Sequence, residues 1–111
     1  MGPNEGAASQ TAAAVVSENY VPRKRAQVLE LDLGDGVVIY DDQSSLVHHL
    51  NPSASLVWHL CRGEASVRTL AAEIAEELGL ELPQVLAEVR GLVAELDALG
   101  LVEDAAGPPA R

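Results

Sequence analysis

The sequence contains no phenylalanine, one tryptophan, two tyrosines and one methionine, yet hydrophobic residues make up 48% of it. Any core must therefore be built from Leu, Val, Ile and Ala. Basic residues are scarce as well: seven Lys and Arg stand against 17 Asp and Glu, for a formal net charge of −10. Such a balance repels a phosphate backbone, because nucleic-acid affinity rests on Lys and Arg displacing counterions. It favours neutral or basic partners. The lone Cys61 cannot close an internal disulfide, which fits a reducing compartment. No apolar run approaches the roughly 20 residues that span a bilayer. Ala12–Val16 is apolar but short and no Lys or Arg precedes it, so a secretory signal is not expected. The C-terminal GPPAR carries no lipidation box. These absences together predict a cytoplasmic protein.

At 111 residues the chain is long enough for one domain. Residues 1–22 are rich in Ala, Gly, Ser and Asn, have no apolar period, and are predicted to form a disordered or loosely attached tail. Residues 104–111 read the same way, which leaves a folded part of 23–103.

Within it, Gln27–Leu33 alternates, with Leu29, Leu31 and Leu33 predicted as the buried face of a strand. Gly34-Asp35-Gly36 can supply the positive φ of a tight hairpin. Val37–Tyr40 returns as a second strand. After the polar turn Asp41–Ser45, Leu46–Leu50 forms a third, with Leu46, His48 and Leu50 on one face and Val47 and His49 on the other. Asn51 caps a first helix that has Pro52 in its first turn and closes at Gly63. Ser66 caps a second helix ending at Gly79, and Pro83 opens a third ending at Gly100. The expected fold class is α+β: a winged-helix-like domain, a three-stranded antiparallel sheet followed by three helices.

The last helix is unusually apolar. On a wheel of about 100° per residue, Val85, Val89, Leu92, Val93, Leu96 and Leu99, with Leu86, cover a stripe about 140° wide, against roughly 100° for one core face. One margin holds Leu86 and Val93 beside Arg90 and Asp97. The other holds Val85, Leu92 and Leu99 beside Glu88 and Glu95. The helix is either the centre of a small core or a core helix with one margin left to line a groove. If the Val85 margin faces out, its glutamates favour a basic guest; if the Leu86 margin does, Arg90 favours an acidic one.

Chemistry-bearing clusters are few. His48, His49, His59 and Cys61 match no zinc spacing, and adjacent strand residues point to opposite faces, so no metal is expected. Cys61 has no activating base, because His59 lies two residues away on a helix. Arg23-Lys24-Arg25 reads as a solvated basic run that could touch an acidic peptide. No catalytic residues and no cofactor are expected.

The segment LVHHLNPSASLVWHLCRGEASVRTLAAEIAEELG, with Leu50-Asn51-Pro52, Ala54, Leu56-Val57-Trp58, Leu60, Gly63, Ser66-Val67 and the ending LVAELDALGLV, resembles the PqqD-like peptide chaperones, the recognition elements of ribosomal peptide natural-product pathways. The resemblance covers about residues 26–103. It implies binding of the leader segment of a precursor peptide as an added strand. The site would be Leu46, Val47, His48, His49 and Leu50 of the third strand, with Val85, Val89, Arg90, Leu92, Val93 and Leu96 of the last helix. It also implies a modifying enzyme as partner, either a radical-SAM enzyme or, in lasso-peptide systems, a leader peptidase or cyclase. Lasso subunits often carry a Gly and an aromatic before the Leu-Asn; here Ser44-Ser45 and His48-His49 stand there, so the branch stays open. The alternatives are a winged-helix DNA-binding regulator, against which the acidic last helix argues, and a homodimer pairing edge strands.

Overall fold

The computed structural model describes residues 15–106, which form β1 (Pro22–Lys24), β2 (Val28–Asp32), β3 (Val37–Asp41), β4 (Leu46–Leu50), α1 (Pro52–His59), α2 (Val67–Leu78), α3 (Leu82–Ala98) and β5 (Val102–Asp104). Strands β2, β3 and β4 make an antiparallel sheet in that order. The three helices follow it, as the α+β reading expects. The hairpin between β2 and β3 depends on both of its glycines, for different reasons. Gly34 adopts φ 95°, and a Cβ on Gly36 would come within 2.6 Å of the Leu50 carbonyl oxygen.

The helix signals correspond to observed caps. Asn51 Oδ1 accepts the Ala54 N–H at 2.8 Å, and Ser66 Oγ accepts the Thr69 N–H at 3.2 Å. Each satisfies a donor that a helix start would leave unpaired.

The facing of β2 is opposite to the expected one. Leu29, Leu31 and Leu33 are 67%, 61% and 56% exposed. Glu30 lies directly across from Ile39, which is fully buried, and therefore shares the inward face. The alternation itself is as read; what decides its sense is Trp58 on α1. This residue is buried, and its indole N–H donates to Glu30 Oε1 at 2.9 Å. A buried N–H without an acceptor costs about 1–3 kcal/mol, and a leucine could not serve it. Lys24 Nζ also reaches Glu30, at 3.1 Å, and sits 4.8 Å from the centre of the Trp58 ring. Asp32, on the same inward face, meets His59 Nε2 at 3.3 Å. The leucines are left on the outer face of the sheet, with Val38, Tyr40 and Val47 opposite or beside them.

The second departure is an additional two-stranded sheet. β1 pairs antiparallel with β5, matching Pro22 to Asp104 and Lys24 to Val102. Residues 15–22, expected in the tail, are packed: Tyr20 is buried, its hydroxyl donates to Asp97 Oδ2 at 2.6 Å, and its carbonyl accepts the Val67 N–H at 2.7 Å. At the other end Ala105 N–H donates to the Val21 carbonyl at 2.7 Å. The remainder of both expected tails, 1–14 and 107–111, lies outside the described residues. The run Arg23-Lys24-Arg25 is likewise engaged rather than free, with Arg23 on Glu103 at 2.6 Å and Lys24 on Glu30.

The core joins Val37, Ile39 and Leu50 of the sheet to Val57 and Trp58 of α1, Val67 and Ala71 of α2, Val85, Val89, Val93 and Leu96 of α3, and Leu101 and Val102. Trp58→Ala is expected to lower unfolding stability by about 3–5 kcal/mol, whereas Leu31→Lys should change it by no more than about 0.5 kcal/mol. Urea unfolding of the two variants measures both, and a large loss from Leu31→Lys would contradict the outward facing of β2.

Candidate functional site

β4 is an edge strand. It pairs with β3 along one side, and its other side has no strand partner among the described residues. An edge presents a row of unpaired N–H and C=O groups that can template a further strand. The five residues alternate as expected: Leu50 is buried, His48 is half-buried on the inward face, and Val47 and His49 are exposed on the outer face. Leu46, on the inward face at the strand's start, is 55% exposed. His48 Nε2 is buried with no hydrogen-bond partner among the described residues. The preceding turn is held by Asp41, whose backbone and side chain accept the Ser45 and Gln43 N–H groups at 2.7 and 3.0 Å. Burial alone would raise the Asp41 carboxyl, but hydrogen bonds from Ser44 and Gln43 hold it below its ordinary value.

On α3 the two margins have different fates. The Leu86–Arg90–Val93 margin is covered by the N-terminal segment: Arg90 Nε donates to the Val16 carbonyl at 2.7 Å, and Val16 N–H points back at the Arg90 carbonyl at 3.4 Å. Val93 and Leu96 are fully buried in the core. The Val85–Leu92 margin instead borders a hollow, with Val85 and Val89 themselves buried at its floor and Leu92 half-buried. Val85, Val89 and Leu92 line a hollow of about 270 Å³ together with Gln84 and Glu88 of α3, Ser53 and Leu56 of α1, Ile74 and Leu78 of α2, and Leu80.

The expected site is thereby divided. Leu46, Val47, His48, His49 and Leu50 stay together on one open edge. Val85, Val89 and Leu92 belong to a hollow walled by helices and the α2–α3 link, reached from the edge through Leu50-Asn51-Pro52-Ser53. Arg90, Val93 and Leu96 are not available to a guest in this arrangement, because a valine carbonyl and the core already hold them. Leu56, Leu78 and Leu80 were missed by the sequence reading, although leucines flanking the Gly79 cap are a signal that could have raised two of them.

Catalytic and metal readings find little to build on. Cys61 is buried, its thiol donates to the Val57 carbonyl at 3.2 Å, and burial pushes its pKa up to about 12, with Lys24 pulling weakly the other way. The thiolate is the reactive form, so this cysteine is held inert at neutral pH. No group of three or more His, Cys, Asp or Glu lies together among the described residues in a way that would hold a metal ion. No helix among them is long and apolar enough to cross a membrane. For duplex DNA, α3 offers Gln84, Glu88 and Glu95 to solvent while its one arginine is bound to Val16, the wrong sign for a phosphate backbone.

The Cys61 environment gives a pH prediction. Its thiol ionises at a higher pH folded than unfolded, so its stabilising contribution is complete below about 9 and is lost as pH rises toward about 12. Tyr20 acts in the same direction, raised by burial and by its bond to Asp97. Stability should therefore fall in alkali, and less steeply in Cys61→Ala. A thiol-titrating reagent should leave the native protein unlabelled at pH 8 and label it once unfolded; fast labelling of the native chain would contradict the burial.

A sequence profile of the family described as coenzyme PQQ synthesis protein D (PqqD) matches residues 36–102, from β3 through α3 to the start of β5. No curated protein matches the chain at a significant level. Two solved structures are similar in fold. One is TbiB1 in complex with the TbiA(beta) leader peptide, with a TM-score of 0.66 and 21% identity, covering 73% of this chain and 94% of that one. The other is a lasso peptide synthetase B1 complexed with the leader peptide, with a TM-score of 0.64 and 22% identity, covering 74% of this chain and 96% of that one.

Proposed function

Because the chain belongs to the PqqD family, we propose that it binds the leader segment of a ribosomally synthesised precursor peptide and presents it, without catalysing a reaction itself, to a peptide-modifying enzyme. The observation that carries this reading is the open side of β4, Leu46–Leu50. A peptide laid along it as a fourth strand satisfies the unpaired backbone groups, and side chains on alternate residues enter or leave the groove. The unpartnered Nε2 of His48 lies on the inward face of this strand and would gain a partner from a guest side chain carrying a hydroxyl or amide.

Two similar folds described with leader peptides support the same reading, and one of them is described as a lasso peptide synthetase B1. That one favours the lasso branch, in which a leader peptidase or cyclase receives the peptide. The outer sheet face supports an enzyme partner. Leu29, Leu31 and Val47 are more than half exposed there, and a peptide added to β4 extends that same face. An enzyme seated on the leucines would meet carrier and peptide together. The single cysteine, kept as a buried thiol, fits action in the cytoplasm.

Calorimetric titration with synthetic leaders of candidate precursor peptides, including any short open reading frame found beside this gene, tests the proposal. N-methylation of single leader amides should weaken binding with a period of two, by roughly five- to tenfold at each amide that points at β4, as expected for loss of one main-chain hydrogen bond of about 1 kcal/mol. Binding that ignores N-methylation at every position would overturn strand addition. Leu29→Asp/Leu31→Asp should leave leader affinity unchanged while weakening pull-down of the modifying enzyme.

A further inference from the structure

We infer that the helical cleft beside β4 is a second anchor for the same peptide, selecting a basic stretch with aliphatic side chains that lies N-terminal to the residues paired with β4. The inference rests on the strand-addition reading above.

The cleft consists of two adjoining hollows of about 270 and 240 Å³ that share Leu56, Ile74 and Leu78. Leu56, Leu78 and Leu80 are 44%, 56% and 49% exposed in it. Apolar side chains gathered in a concavity, rather than scattered, mark a place where another surface is buried. Its charge has one sign: Glu73 and Glu77 line one hollow, Glu88 the other, and neither is lined by a lysine or an arginine. Glu73 and Glu77 lie one turn apart on α2, an arrangement of like charges that mildly destabilises a helix and that a bound cation relieves. A guest fitting both features carries Leu, Ile or Val for the floor and Lys or Arg for the rim.

Continuity identifies that guest as the leader. Ser53 lines the cleft and is three residues beyond Leu50, where β4 ends. Every pairing in this sheet is antiparallel. A guest strand that continues the pattern runs opposite to β4, so its upstream residues leave at the Leu50 end. An extended chain advances about 3.3 Å per residue, so a handful of upstream residues is enough to pass the start of α1 and enter the cleft. The alternative acidic guest fitted the Arg90 margin, and that margin is already covered by Val16.

The test uses the full chain and synthetic leader peptides, with circular dichroism confirming that each variant is folded. The triple variant Glu73→Lys/Glu77→Lys/Glu88→Lys is expected to bind the whole leader about tenfold more weakly at low salt, with the gap narrowing as salt rises, as for charge pairs at an interface rim. Leu78→Glu, at an exposed position, is expected to weaken it as well. A leader truncated before its paired stretch should bind wild type and both variants alike. If the whole leader binds the variants as tightly as wild type while N-methylation still disrupts binding, the cleft inference falls and strand addition stands. If N-methylation has no effect, strand addition itself falls. A cognate leader with no Lys or Arg upstream of its paired stretch would also overturn the inference.

Discussion

The facing of the whole sheet depends on the indole N–H of Trp58. This donor is buried and takes Glu30 as its acceptor, which fixes the inward face of β2. Because side chains alternate with a period of two, fixing one residue of one strand fixes every residue of every strand paired with it. Glu30 stands across from Ile39, and Ile39 across from His48. The same bond that turns Glu30 inward therefore puts His48 and Leu50 on the inward face, and Val47, His49 and the leucines of β2 on the outer face. The charged partner is affordable here because it is at the sheet margin, where Lys24 and solvent share it.

That dependence explains which parts of the fold could be read from the sequence. The helix caps were legible because they are local: Asn51 and Ser66 act on N–H groups three residues away. The hairpin and the edge strand were legible for the same reason. The sense of β2 was not, because three leucines against one glutamate and one aspartate is a strong local argument that a contact 28 residues away overrules. The β1–β5 sheet was invisible because each strand has three residues and they pair across some 80 positions. The N-terminal segment was invisible because its anchors on α3 and α2 are mostly backbone groups, which leave no mark in composition. Of the site, the edge was legible and the width of the α3 stripe was noticed. Which margin borders the hollow depended on that segment.

The distribution of charge follows the same logic. Arg23, Lys24, Arg25, Arg68 and Arg90, five of the seven basic residues, have intramolecular partners: Glu103, Glu30, Glu18 and the Val16 carbonyl. Exposed pairs of this kind contribute little each, typically under about 1 kcal/mol. Their larger effect is on what is left over. With most of the positive charge engaged internally, the outward field of a chain of net charge −10 is dominated by carboxylates, and the helical cleft concentrates it beside exposed leucines. A surface of this sign steers cationic guests and repels polyanions.

Backbone pairing along β4 cannot hold a disordered guest by itself. Each main-chain hydrogen bond contributes a net of roughly 0.5–1.5 kcal/mol, and an edge bonds only alternate residues of the added strand. Ordering each guest residue opposes binding by about 1–2 kcal/mol. Over a five-residue edge the balance is unfavourable before any side chain is counted. What tips it is apolar burial, at about 1.5–3 kcal/mol for each fully buried aliphatic side chain, and two or three anchors suffice. On the strand-addition reading, pairing would supply alignment, and the hollows would supply affinity and selectivity. On this energetic argument a five-residue edge without a neighbouring cleft would not retain a peptide, and the leucines around α1, α2 and α3 are where the inferred second anchor would supply the missing burial.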